Sequence, residues 1–451
     1  MKKILSIASV AILTASTLFA GVTGNAKVAF GYDTTSKKYG FENSTGLTVN
    51  VDLATAEAEA KGEGDIYAGI KTTMNVKVGN YETNKKSTTQ EGTSIWQKDG
   101  KEMGIGVFFD FAEAYVAGQD WKVSILGSTD SANDFAKSAI DTKKAAVKDI
   151  FGNVYDKKNT AVTYKPTYTN FDGIEATVKG YKLGLGLVGN ASDATKYFAT
   201  SIFGSTPDIA IADGFTVKAG AEYAYSDKAG KEYNSVGGSV KVAYENDAFN
   251  VSAASDMGYD IKAEKFGVDV AANFKYSPVT LDVYYANDVQ TTAKVYSTDT
   301  AANTKNLLSA MAVVDLNAFD VPVALTVKGK DLVNKQDLSV KGAFNITEEL
   351  SADATVGYVI NTKKLSTSAN VAYKADAFTA KAGAAFSTVI DTDNAMVLSA
   401  TASIESTALV PGATLALTYD TDSDDNDMNF LKNQAKAQNF GAVTASCKIA
   451  F

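Results

Sequence analysis

Residues 236–244 read Val-Gly-Gly-Ser-Val-Lys-Val-Ala-Tyr. Val236, Gly238, Val240, Val242 and Tyr244 occupy every second position, and Gly237, Ser239, Lys241 and Ala243 fill the places between. Successive side chains of a β-strand leave on opposite faces, so this segment presents one apolar face and one small or charged face. The same arrangement returns at Phe266, Val268, Val270, Ala272, Phe274 and Tyr276, and again over residues 338–346, 350–360, 365–373, 378–386, 396–404 and 413–419. These lengths approach the ~9–11 residues with which a tilted strand crosses a bilayer.

The connections decide how the alternation is read. Short links at 245–248, 277–278, 317–320, 347–349 and 374–377 alternate with longer ones at 226–235, 286–305, 329–337, 387–395 and 420–438. Short turns on one side and long loops on the other are the layout of an outer-membrane β-barrel, whereas a soluble sandwich has no reason to alternate them strictly. Aromatic residues stand beside the short turns (Tyr244, Phe249, Tyr276, Phe319, Tyr373, Phe378) and at the opposite strand ends (Tyr223, Tyr225, Tyr284, Tyr285, Tyr358, Tyr419), which predicts two interfacial girdles.

The last residues alternate too. Val443, Ala445, Cys447, Ile449 and Phe451 share one face of a final strand, with Thr444, Ser446, Lys448 and Ala450 on the other. If the first strand pairs with it, the sheet closes and no unpaired backbone edge is left in lipid, where each unsatisfied group costs several kcal/mol. A terminal aromatic of this kind resembles the signal that the barrel assembly machinery of the outer membrane reads. The expected fold is therefore all-β: a transmembrane antiparallel barrel of roughly 16–24 strands, with short periplasmic turns and long extracellular loops.

Composition sets further limits. Residues 1–20 combine Lys2 and Lys3, an apolar run and a small residue at Ala20, the pattern of a cleaved signal peptide. The chain of 451 residues has one cysteine, five prolines and a net charge of −9, so neither a disulfide framework nor a nucleic-acid partner is expected. It has no histidine, which removes the usual general base and the commonest nitrogen ligand of transition metals. No catalytic motif, cofactor site or metal site is expected. The acidic cluster Asp420, Asp422, Asp424, Asp425 and Asp427 starts like a calcium loop, but it has Asp425 where the glycine belongs and Leu431 in place of the bidentate glutamate. It reads as a solvated extracellular loop.

The N-terminal third is less regular. Ala26, Val28, Phe30 and Tyr32 form one alternating strand and Leu47, Val49, Val51 and Leu53 another, with further candidates at 66–70, 103–111 and 121–126. Residues 131–150 are rich in Ala and Lys, with Phe135, Ile140, Val147 and Ile150 at loose helical spacing. They predict a helical or loop insertion, placed either outside or within the barrel.

The stretch Tyr39-Gly40-Phe41-Glu42-Asn43, the strand 47–53, Lys61-Gly62-Glu63-Gly64-Asp65-Ile66-Tyr67-Ala68, and Glu113-Ala114-Tyr115-Val116 before Trp121-Lys122 resemble the N-terminal region of the treponemal major outer sheath protein (Msp/Tpr) family. The likeness is specific over roughly residues 26–126 and only architectural in the C-terminal half. It implies an abundant spirochaete outer-membrane protein with an N-terminal family region (21–212) and a C-terminal barrel region (213–451). It further implies pore formation, adhesion to host extracellular-matrix proteins, surface antigenicity and a homo-oligomer such as a trimer.

Lys27, Asp33, Asp52, Lys218, Glu222, Lys241, Asp269 and Asp282 all fall on the face opposite the apolar one. Charges of both signs there predict a wet lumen, hence a porin that passes small hydrophilic solutes. The alternative is an adhesin that uses the barrel only as a platform, with the N-terminal region in the periplasm.

Overall fold

The computed structural model describes residues 22–34, 37–41, 46–54, 66–80, 103–129, 135–136, 140, 147–148, 154–155, 171–190, 197–227, 233–261, 264–287, 306–333, 336–390, 396–421 and 441–450. Its main feature is one 24-stranded sheet in which every pairing is antiparallel and the order closes on itself. The first strand, Val22–Asp33, pairs with the last, Ala442–Ala450, from Asn25 opposite Ala450 to Asp33 opposite Ala442. Two places in the wall are each shared by two short strands. Lys38–Phe41 and Gly46–Ala54 both pair with the first strand, and Tyr197–Ser205 and Ile209–Ala212 both pair with Phe215–Ser226. The wall thus has 22 strand positions, an even number, which is what lets its first and last strands run antiparallel.

Strands from both halves of the chain build this wall. Gly46–Ala54, Tyr67–Asn80, Met103–Ala117, Trp121–Thr129, Phe171–Val178 and Tyr181–Asn190 follow one another in pairing order and continue without a gap into the strands beyond residue 213. Residues 212 and 213 themselves fall inside one hairpin, between Ile209–Ala212 and Phe215–Ser226.

Burial is inverted relative to a soluble protein. Val240 is 38% exposed and Leu417 49%, whereas Asp256 is 0%, Asp269 4% and Asp282 6%. Apolar side chains cover the outside of a closed cylinder, and charged ones point inward. Lipid replaces water as the solvent of the apolar face, and this fold is a transmembrane β-barrel.

Turn chemistry explains the tight end of the cylinder. Asn246 Oδ1 accepts the backbone N–H groups of Ala248 and Phe249 at 2.8 and 2.9 Å, and Thr347 Oγ1 accepts those of Glu349 and Leu350 at 3.2 and 3.0 Å. At 179–180, Lys179 and Gly180 both have positive φ (48° and 82°), the backbone of a two-residue hairpin that follows strand twist. Links 118–120, 179–180, 213–214, 246–248, 277–278 and 346–349 lie at this end, and the strands flanking 81–102, 130–170, 288–305 and 421–441 end at the other. The alternation is less strict than the sequence suggests. Links 261–264 and 360–363 leave from the long-loop end yet are short, and 55–66 is a long link at the short-turn end.

An aromatic belt forms at the tight end. Phe215, Tyr244, Phe249 and Phe274 follow one another with ring centroids 6.0, 5.4 and 6.3 Å apart, and Tyr373 meets Phe378 at 6.1 Å. At the other end one expected member is misplaced. Tyr285 faces outward, but Tyr284 is 1% exposed and points into the barrel, because neighbours in a strand cannot share a face.

The insertion near 131–150 is not helical in its described residues: Val147–Lys148 pairs with Val154–Tyr155 as a small antiparallel ladder. Phe135 and Ala136 direct their N–H groups to a side chain of the wall rather than to carbonyls of their own segment.

Candidate functional site, the barrel interior

Because register fixes the face of every residue, the interior can be followed strand by strand. Lys218 of Phe215–Ser226 stands opposite Lys241 of Tyr233–Glu245, both half-buried, and Glu222 stands opposite Gly237, buried. Next round the wall, Asp256 of Phe249–Asp260 stands opposite Asp269 of Lys265–Tyr276. Like charges placed so are mutually destabilising, and each carboxylate here is met by donors. Tyr284 Oη donates to Asp269 Oδ2 at 3.0 Å. The N–H groups of Phe135 and Ala136 donate to Asp256 at 2.9–3.1 Å. One place further, Asn273 Nδ2 donates to Asp282 Oδ1 at 2.5 Å.

Lys27 is half-buried on the inner face of the first strand, beside the fully buried Ala29. The side chains of Asp33 and Asp52 lie outside the described part of the structure; their backbones pair with Ala442 and Thr73. By strand position the eight fall in two groups: Lys218, Glu222, Lys241, Asp269 and Asp282 on the run of strands from Phe215–Ser226 to Val279–Asn287, and Lys27, Asp33 and Asp52 on the paired strands Val22–Asp33 and Gly46–Ala54.

Several inner charges belong with them although the sequence reading passed them over. Lys122 pairs with Glu113 at 2.5 Å, Lys182 with Glu175 at 3.1 Å, and Lys341 with Asp353 at 3.4 Å, where Asn370 also donates to Asp353 at 3.1 Å. Each lies at odd spacing from an outward apolar residue on its strand: Glu113 from Val116, Glu175 from Ile174, Asp353 from Val356. That parity is the signal that finds them. Partly exposed pairs of this kind contribute little stability, about 0–1 kcal/mol each; what they do is set the polarity of the interior.

Of the terminal strand, Val443, Ala445, Cys447 and Ile449 occupy the outer face, with Cys447 half-buried between Val28 and Leu415. Phe451 lies outside the described residues. Asp420 ends the strand Ala413–Asp420 opposite Ala442, while Asp422, Asp424, Asp425 and Asp427 lie outside the described residues.

No family model and no curated protein matches the chain. Among solved structures it is similar to the P pilus usher (PapC) translocation pore, with a TM-score of 0.40 and 10% identity over 95% of this chain and 99% of that one. It is also similar to an engineered mutant of the Rh. blastica porin, with a TM-score of 0.31 and 9% identity over 96% and 99%. Scores this low add no weight: the barrel rests on its own strand order.

Proposed function

We infer that this chain is an outer-membrane porin, exported by a cleaved signal peptide at residues 1–20 and serving small hydrophilic solutes as a passive diffusion channel. The observation that carries this reading is the inverted wall, apolar outside and lined inside by lysine, aspartate and glutamate. A wet interior carrying charges of both signs is what the passage of hydrophilic solutes requires.

The likeness of residues 26–126 to the treponemal major outer sheath proteins supports a second role at the surface, as antigen and adhesin for host matrix proteins. In that role the loop carrying Asp420, Asp422, Asp424, Asp425 and Asp427 presents concentrated negative charge to basic partners.

The test is planar-bilayer recording of the purified protein. Open, weakly selective conductance is expected, with at most a mild cation preference, because acidic groups outnumber basic ones while both line the interior. Folded protein, recognised by altered gel migration after boiling, that inserts into several lipid compositions without conducting would defeat the porin reading and leave the platform.

A further inference from the structure

Gly383 leaves a gap in the inner wall. Val371 and Ile404 are exposed on the outside, so parity turns Asn370, Lys381, Gly383, Thr401 and Ser403 inward. Gly383, on the strand Thr379–Val389, lies directly between Asn370 of Lys364–Lys374 and Thr401 of Val397–Ser406. A Cβ built on it would collide with Asn370 Oδ1 and lie 3.3 Å from Thr401 Oγ1. Without a side chain there, an amide and a hydroxyl converge over a floor of bare backbone. Lys381 and Ser403 stand opposite one another two residues nearer the tight end, about 6.8 Å along the strands. With Lys341 and Asp353 these groups line a concavity of about 710 Å³ on the inner face, within the ~300–1,000 Å³ of small-molecule sites.

The charges of this concavity are matched on one side only. Lys341 pairs with Asp353 at 3.4 Å, and Asn370 Nδ2 donates to Asp353 Oδ1 at 3.1 Å. That bond orients the amide, so its oxygen is the atom left over Gly383 as an acceptor. Lys381, in contrast, is exposed and forms no ion pair with any described residue. The concavity thus offers a cation, an acceptor and two hydroxyls within one solute's length. Phe344 and Tyr419 border it only through their backbones, since parity points both rings outward, so among the described residues no aromatic platform is present for a stacking ligand. A lone ammonium suits a monovalent carboxylate. A dianionic phosphate would meet repulsion from Asp353 and from Asp420, which borders the same space, and would find no guanidinium to hold two of its oxygens.

We propose that Lys381, Asn370, Thr401 and Ser403 form a binding subsite for a small hydroxylated carboxylate of the sugar-acid kind. Lys381 takes the carboxylate, Asn370 Oδ1 accepts from a hydroxyl of the solute, and Thr401 and Ser403 exchange hydrogen bonds with its neighbours. Affinity is roughly millimolar, because a diffusion channel must release what it binds. This names a solute class for the porin and rests on that reading, so the test reads binding apart from conduction.

Folded protein in detergent is titrated with gluconate and, separately, with sorbitol, its polyol counterpart without a carboxylate, and bound solute is read by saturation-transfer NMR. Gluconate should bind saturably and about tenfold more tightly than sorbitol, the size of a charge-assisted hydrogen bond. Lys381→Gln should abolish that preference, and Gly383→Ala, which fills the gap and keeps every charge, should weaken both solutes. The proposal is overturned by any of three results: no saturable gluconate binding or no preference over sorbitol in the unaltered protein, an undiminished preference in Lys381→Gln, or affinities in Gly383→Ala equal to those of the unaltered protein. Should Lys381→Gln lose heat-modified migration, Gly383→Ala decides in its place. Planar-bilayer recording keeps the two readings apart. Conductance without a gluconate preference leaves the porin and removes the subsite, whereas gluconate binding by a barrel that does not conduct leaves the subsite and removes the porin.

Discussion

Lys241 and Lys381 carry the same charge on the same face of the same sheet, yet their surroundings differ. Lys241 is half-buried in the sector that holds Phe135 and Ile140, while Lys381 is exposed in the opposite one. A permeating ion senses a fixed charge only within about a Debye length, ~8–10 Å in ordinary buffers. Lys381→Glu should therefore move the reversal potential toward cation selectivity more than Lys241→Glu does. Equal shifts, measured under one salt gradient, would mean that the passage is central. At this scale the sequence speaks through parity: Lys218, Glu222, Lys241, Asp269 and Asp282 take the face opposite their apolar neighbours. Asp256 was passed over because its role depends on a segment far away in the chain, and nothing near it announces a partner in Phe135. Tyr284 stands at a strand end, where a girdle residue is expected, but two neighbours in a strand cannot both face lipid, and Tyr284 is the one that faces inward.

Strands of the C-terminal half were legible as elements because valine and phenylalanine alternate there with small residues. Tyr181–Asn190 was not, and its glycines are the reason. Gly184 looks like a strand breaker in sequence, but a Cβ built there would meet the Phe203 ring at once, and Phe203 is 3% exposed across the pairing from it. The glycine makes room for an inward aromatic ring. Gly184→Ala should cost about 1–3 kcal/mol by overpacking, read as a lower denaturant midpoint for loss of the folded gel band; an unchanged midpoint would show that the ring can move aside. The links carry their own prediction. If the end bearing 288–305 and 421–441 is extracellular, an epitope inserted near Asp425 is labelled by antibody on intact cells, and one inserted at 346–349 is silent until the outer membrane is opened. The reverse labelling would invert the barrel.

For the whole molecule, the closed order of the sheet was expected from the alternation at both ends, whereas the exact number of positions was beyond the sequence. Strand count follows from how many imperfect alternations become strands, which leaves no local period. The seam between Val22–Asp33 and Ala442–Ala450 has a consequence in time. Its partners stand almost as far apart along the chain as any two segments can, and loop-closure entropy rises only logarithmically with that distance. The delay is therefore larger than the loss of stability. A strand made early must wait for one made last, with a row of bare N–H and C=O groups open to any other strand that passes. Until the seam is sealed, the first strand is the most vulnerable edge of the molecule, and whatever shelters it in transit governs how many chains arrive as barrels rather than as aggregates.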